Sequence, residues 1–189
     1  MTSEYTIAAI PTLYRGRMYR SRLEARWAAF FDRLGWAYEY EPFDMGKWSP
    51  DFLLTDADTL VEVKPISQTT SIKPIADKIS GFGKRLLIVG TSPWVFGGEF
   101  SIGWRKCDAD PHERAEPNEQ FNQTVLRWMP GIIKPEWRAD LVCSDGANIW
   151  TMLEGNMTLK RFNTGNSYTS WGEQLWSDAC NAVQWEPKR

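Results

Sequence analysis

Trp48-Ser49-Pro50-Asp51-Phe52-Leu53-Leu54, then Thr55-Asp56-Ala57-Asp58-Thr59, then Leu60-Val61-Glu62-Val63-Lys64 is the stretch that decides the fold. Apolar residues alternate on both arms and the connector holds turn-favouring acids, so the spacing predicts a β-hairpin. With the turn centred between Asp56 and Ala57, Asp51 stands opposite Glu62, and the period of two puts Asp51, Glu62 and Lys64 on one face. The other face is Phe52, Leu54, Val61 and Val63, an apolar strip that something has to cover.

The charged face calls for chemistry. Burying Glu62 and Lys64 in so apolar a strand is costly unless they are paired or bind a metal. Two carboxylates held close together also repel, and a hard divalent cation such as Mg²⁺ between them removes the conflict. The plainer reading is a surface hairpin with a solvated outer face, Glu62 and Lys64 forming an ordinary exposed ion pair.

Upstream lies a strong helix signal. Ser21 as N-cap with Glu24 three residues on makes a capping box, opening Leu23, Trp27, Phe30, Phe31 and Leu34 at helical spacing, and Gly35 closes the helix. Glu24 falls at the edge of the apolar stripe, where a local cap and a third carboxylate at the charged face are both open to it. Arg22, Arg26 and Arg33 are expected towards solvent. With Arg15, Arg17 and Arg20 they make the first third of the chain locally basic, either a solvated helix face or a set of phosphate contacts.

Trp36 to Glu41 alternates as a strand and stops at Pro42. After the hairpin, Pro65 ends the ladder because it has no N–H to give. Ser71 to Ile79 reads as a short helix with Pro74 in its first turn, broken at Gly81-Phe82-Gly83. Leu86 to Gly90 is an apolar run of strand length, so strand, crossover helix and returning strand form a βαβ-like unit.

Pro50-Asp51, ten residues, then Glu62-Val63-Lys64 resembles the signature of the PD-(D/E)XK nuclease superfamily, the restriction-endonuclease-like fold, and the acidic helix upstream agrees in order. The resemblance implies an α/β fold with an α-β-β-β-α-β core, a central mixed sheet flanked by helices. It covers residues 1–92. Residues 93–189 are an expected β-rich elaboration ending in a helix, packed on the core as part of the same domain. It implies that Asp51, Glu62 and the Val63 carbonyl hold Mg²⁺ or Mn²⁺, that Glu24 adds a further carboxylate, and that Lys64 attends the attacking water. DNA is the implied partner, contacted by Arg15, Arg17, Arg20 and Arg22, and a homodimer is in keeping with the family. Some members place a supporting Gln or Lys near Gln68 and Lys73. Small nucleases of phages and mobile elements are similar in size. The competing expectations are a nuclease-like fold that binds DNA or protein without cutting, and a tryptophan-rich second half that docks on a protein partner.

Composition sets limits on these readings. The 189 residues suffice for a sizeable core, and eleven tryptophans are an unusual aromatic load suited to cores, interfaces or base stacking. A formal net charge of −2 gives no global basic field, so any DNA contact has to come from a local patch. The cysteines, Cys107, Cys143 and Cys180, form no CxxC pair, and with His112 they match no strong zinc template. Without a long apolar run, the expectation is a soluble protein of a reducing cytoplasm, away from the membrane. In the second half, Trp94-Val95-Phe96 and Glu99 to Ile102 around Gly97-Gly98 suggest a hairpin. Residues 105–120 suggest a loop, Leu141 to Cys143 with Asn148 to Trp150 another hairpin, and Ser170 to Trp185 a final helix.

Overall fold

The structure is a computed structural model, and it describes residues 9–82, 85–96, 99–107, 127–135, 139–143 and 168–183. The strands are β1 (Thr12–Tyr14), β2 (Arg17–Tyr19), β3 (Tyr38–Tyr40), β4 (Phe52–Leu54), β5 (Thr59–Val63), β6 (Leu86–Val89), β7 (Trp94–Phe96), β8 (Glu99–Cys107), β9 (Arg127–Pro135) and β10 (Ala139–Cys143). The helices are α1 (Arg22–Leu34), α2 (Lys73–Ile79) and α3 (Tyr168–Ala182). The fold is mixed α/β. Among the described residues the main sheet has eight strands in the order β10-β9-β8-β6-β5-β4-β3, with β7 paired to β8.

The register of the decisive hairpin follows its alternation. Phe52 pairs with Val61, Leu53 with Leu60 and Leu54 with Thr59; Asp51 lies just ahead of β4, its N–H donating to the Val61 carbonyl. The connector closes as one 3₁₀ turn, Thr55–Ala57. Phe52, Leu54, Val61 and Val63 all turn towards α1 and join Trp27, Phe30, Phe31 and Leu34 in the larger core. The cap of α1 forms as its sequence requires: the Glu24 backbone N–H donates to Ser21 Oγ at 3.1 Å, and Gly35 ends the helix in the left-handed conformation.

The opposite face of the sheet is covered by α2. Ala76 and Ile79 of this helix pack with Trp48, Leu86 and Ile88, a smaller core. Because α2 crosses between them, β5 and β6 run parallel, with Glu62 beside Ile88 and Val63 beside Val89. All four residues of β6 are buried, as expected of a strand covered on both faces. Among the described residues no helix is long and apolar enough to cross a membrane.

The basic-aromatic run Tyr14 to Arg20, to which the sequence assigned no element, is largely a hairpin, β1 with β2, turned by Arg15 and Gly16 at φ 46° and 77°, the left-handed pair that a two-residue hairpin loop needs. Several expectations are corrected. Arg22, Arg26 and Arg33 are half-buried rather than solvated, because α1 is packed on two sides. Trp176 of α3 lies 4.7 Å from Trp27 and 5.6 Å from Phe30, ring centre to ring centre. A Cβ on Gly172 would come within 2.5 Å of the Phe100 ring, so glycine is what lets α3 approach β8 this closely. β8 runs on through Cys107, into the stretch expected as a loop. The strand at Leu141 to Cys143 belongs to β10, which pairs antiparallel with β9. Residues 1–8, 108–126, His112 and Asn148 to Trp150 lie outside the described residues.

Candidate functional site

At the end of the β4–β5 ladder two carboxylates share a space largely closed to water. Asp51 is 4% exposed and Glu62 3%. Asp51 is placed by its own backbone, its N–H donating to the Val61 carbonyl at 3.0 Å and its carbonyl accepting from Glu41 N–H at 2.9 Å. Its Oδ2 accepts from the Val63 N–H at 2.7 Å and its Oδ1 from Arg20 Nη2 at 2.5 Å. Glu62 takes the Trp48 indole N–H on Oε2 at 2.7 Å and Lys64 Nζ on Oε1 at 2.6 Å.

The electrostatics follow from that geometry. Burial, together with the facing Glu62 charge, pushes the Asp51 carboxyl up to about 7, against the downward pull of the Val63 N–H and Lys64, and Glu24 adds to the rise. Lys64 keeps its ammonium partly in water, with 39% of its side chain exposed. It is both partner to Glu62 and accessible from outside.

Glu24 sits one layer further back. It is buried, accepting from the Ser21 hydroxyl at 2.7 Å and from the Tyr40 phenol at 2.5 Å. Its link to Asp51 runs through Arg20, whose Nε lies 3.9 Å from Glu24 and 2.7 Å from Glu41. Burial, and then the bond to Glu24, raise the Tyr40 phenol well above its usual value, so it stays a proton donor. Among the described residues no three His, Cys, Asp or Glu side chains close on a common point. The potential oxygen donors at this end of the ladder are Asp51, Glu62, whose charge Asp51 feels, and the backbone at Val63. Since N–H and C=O of a strand residue point the same way, the Val63 carbonyl faces β4 as its N–H does. Hard oxygens of this kind fit Mg²⁺ or Mn²⁺.

Of the basic residues expected at DNA, Arg20 is drawn into the carboxylates. Arg15 and Arg17 lie exposed at the tip and edge of the β1–β2 hairpin, Arg15 pairing with Asp32 at 3.1 Å. Arg22 is half-buried at the start of α1, away from that tip in sequence. Gln68 and Lys73 are exposed, and Lys73 is paired with Asp77 at 2.7 Å. Beside them lies an open groove of about 610 Å³, lined by Thr70, Ser71, Ile72, Lys73 and Trp104 among others. It belongs to the same face as Glu62, since Glu62 registers with Ile88 and Ile88 with Trp104.

Arg20, Tyr40, Glu41 and Trp48 complete the site, and three of these carried no such role in the sequence. Trp48 had one local signal, its position three residues before Asp51 at the head of the hairpin. Glu41 takes φ 48°, rare for a side-chain-bearing residue, in the turn that brings it to Arg20. Comparison with protein-family models, with curated proteins and with solved structures finds no match.

Proposed function

We propose that the chain is a metal-dependent deoxyribonuclease of the PD-(D/E)XK type, with α1-β3-β4-β5-α2-β6 as a restriction-endonuclease-like core. The observation that carries this reading is the burial of two carboxylates at one end of the β4–β5 ladder, Asp51 bonded to the Val63 N–H and Glu62 the residue before it in β5, with Lys64 held on Glu62. Asp51, Glu62 and the Val63 carbonyl are the ligands for Mg²⁺ or Mn²⁺. Such an ion, when bound, polarises a phosphodiester and makes a water acidic enough to attack it.

The chain's own groups supply the rest. Lys64 has a proton-donating ammonium in solvent contact beside Glu62, suited to orient the water and to offset charge on the phosphate. Glu24 holds Tyr40 and, with Glu41, flanks Arg20, so its part is to position the cluster. Arg15 and Arg17, exposed near the hairpin tip, are suited to grip the DNA backbone.

The test is cleavage of plasmid and single-stranded DNA by wild type and by Asp51→Ala with Mg²⁺, with Mn²⁺ and with EDTA. Metal-dependent cleavage by wild type and a loss of at least about a hundredfold in the variant is the expected result. A second reading, a nuclease-like fold that binds DNA or a protein without cutting, is favoured by one observation: Arg20, Lys64 and Trp48 already satisfy the two carboxylates from within the chain. Folded wild type that leaves every substrate intact under all conditions would select it.

A further inference from the structure

Both oxygens of Asp51 are occupied. Oδ2 holds the Val63 backbone N–H, fixed within β5, while Oδ1 holds Arg20, whose side chain is 55% exposed. The guanidinium therefore stands between Asp51 and solvent. Its second anchor, Glu41, is also open to water, 42% exposed, at 2.7 Å from Nε. A dication and a guanidinium in contact with one carboxylate oxygen repel strongly at such short range. The backbone of Arg20 is tied separately, its N–H donating to the Tyr40 phenol oxygen at 3.0 Å, so the side chain can leave while its root stays in place.

We infer that Arg20 is the resident counter-ion of Asp51, displaced when a divalent cation binds, and that the freed guanidinium then takes a backbone phosphate of DNA. This rests on the nuclease reading and adds an order to it: metal first unlocks the arginine, and the arginine then serves the substrate. The guanidinium suits both partners, because its planar fork matches carboxylate and phosphate alike. Metal and DNA thereby help each other bind, and by linkage the effect is mutual.

The test needs no catalysis. Mn²⁺ affinity of the full chain is measured by calorimetry without DNA for wild type, Arg20→Ala and Glu41→Gln, each checked for cooperative thermal unfolding. Removing the competitor tightens Mn²⁺ binding about tenfold in Arg20→Ala, the worth of one charge-assisted hydrogen bond returned to the metal. Glu41→Gln, which keeps Arg20 and loosens its outer anchor, shifts the same way by less. DNA affinity against salt is then read by fluorescence anisotropy, with EDTA and with Ca²⁺, which takes oxygen ligands of the same kind. With Ca²⁺ the salt slope of Arg20→Ala is lower than wild type by about one phosphate contact; with EDTA the two slopes coincide. Equal or weaker Mn²⁺ binding by Arg20→Ala overturns the inference while leaving the nuclease reading intact. Absence of Mn²⁺ binding in wild type and both variants overturns both.

Discussion

Asp51 and Phe52 are neighbours in sequence and belong to different worlds in the fold. Phe52 turns to α1 and is fully buried among rings, 5.5 Å from Phe31 and 5.3 Å from Tyr40 between centres. Asp51 is almost as buried, yet its surroundings are Arg20, a backbone N–H and a second carboxylate. One side of the ladder gains from burial; the other bears its cost and retains groups able to do chemistry. A structural sheet end would be expected to put an apolar residue at position 51 as well.

The sharpest way to break this contrast is to truncate each neighbour. Phe52→Ala leaves a cavity at the centre of the larger core and should lose about 3–5 kcal/mol in denaturant unfolding, enough to threaten the fold of a domain this size. Asp51→Asn should differ in kind, by changing how stability depends on pH. The Asp51 carboxyl is raised to about 7, so the folded state holds its proton more tightly than the unfolded chain does. Its contribution is therefore full below the unfolded value near 4 and is lost as pH rises through about 7. Relative to Asp51→Asn, wild type should lose about 2.5 kcal/mol between pH 5 and pH 8, by chemical denaturation at each pH. A pH-independent difference would mean that Asp51 is ionised throughout and that the crowding of carboxylates is already relieved.

Trp48 lies on the charged side but links it to the smaller core, its ring 5.3 Å from Phe82 and its N–H on Glu62. Trp48→Phe keeps most of the packing and removes the donor, leaving one oxygen of a buried carboxylate without that partner. The expected loss is about 1–3 kcal/mol in unfolding. Parity with wild type would show that water or Lys64 replaces the indole.

What the sequence could and could not reveal divides along the same line. Local patterns carried the elements: Ser21 and Glu24 announced α1, the alternation of residues 52–63 set Phe52 against Val61, and Pro74 opened α2. Partnerships between distant segments were not local and so were not legible. Nothing near Arg20 points to Asp51, and nothing near Trp48 singles out Glu62, because each depends on where a strand is laid by the fold. Arg26 shows the same limit. Its helix carries alanines at 25, 28 and 29, small residues that allow a close second neighbour, and α3 packs there through Trp176, while the Arg26 Nε is buried. β9 escaped notice because Pro130 and Gly131 interrupt the apolar period that marks a strand.

The smallest expected effect concerns the other lysine of this face. Lys73 and Asp77 form an i,i+4 pair one turn apart on α2, 2.7 Å apart and with side chains 78% and 63% exposed. Water screens such a pair and side-chain freedom opposes it, so Lys73→Ala should change stability by no more than about 0.5 kcal/mol. Lys64 has the same chemistry in a different setting, bonded to a carboxylate that is 3% exposed. If the charged side of the ladder ends at Lys64, cleavage by Lys73→Ala should stay within about twofold of wild type, while Lys64→Ala loses activity by a factor on the order of a hundred or more. A larger loss in Lys73→Ala, with unfolding unchanged, would extend the substrate path along the groove beside Trp104, two strands from Glu62 on the same face.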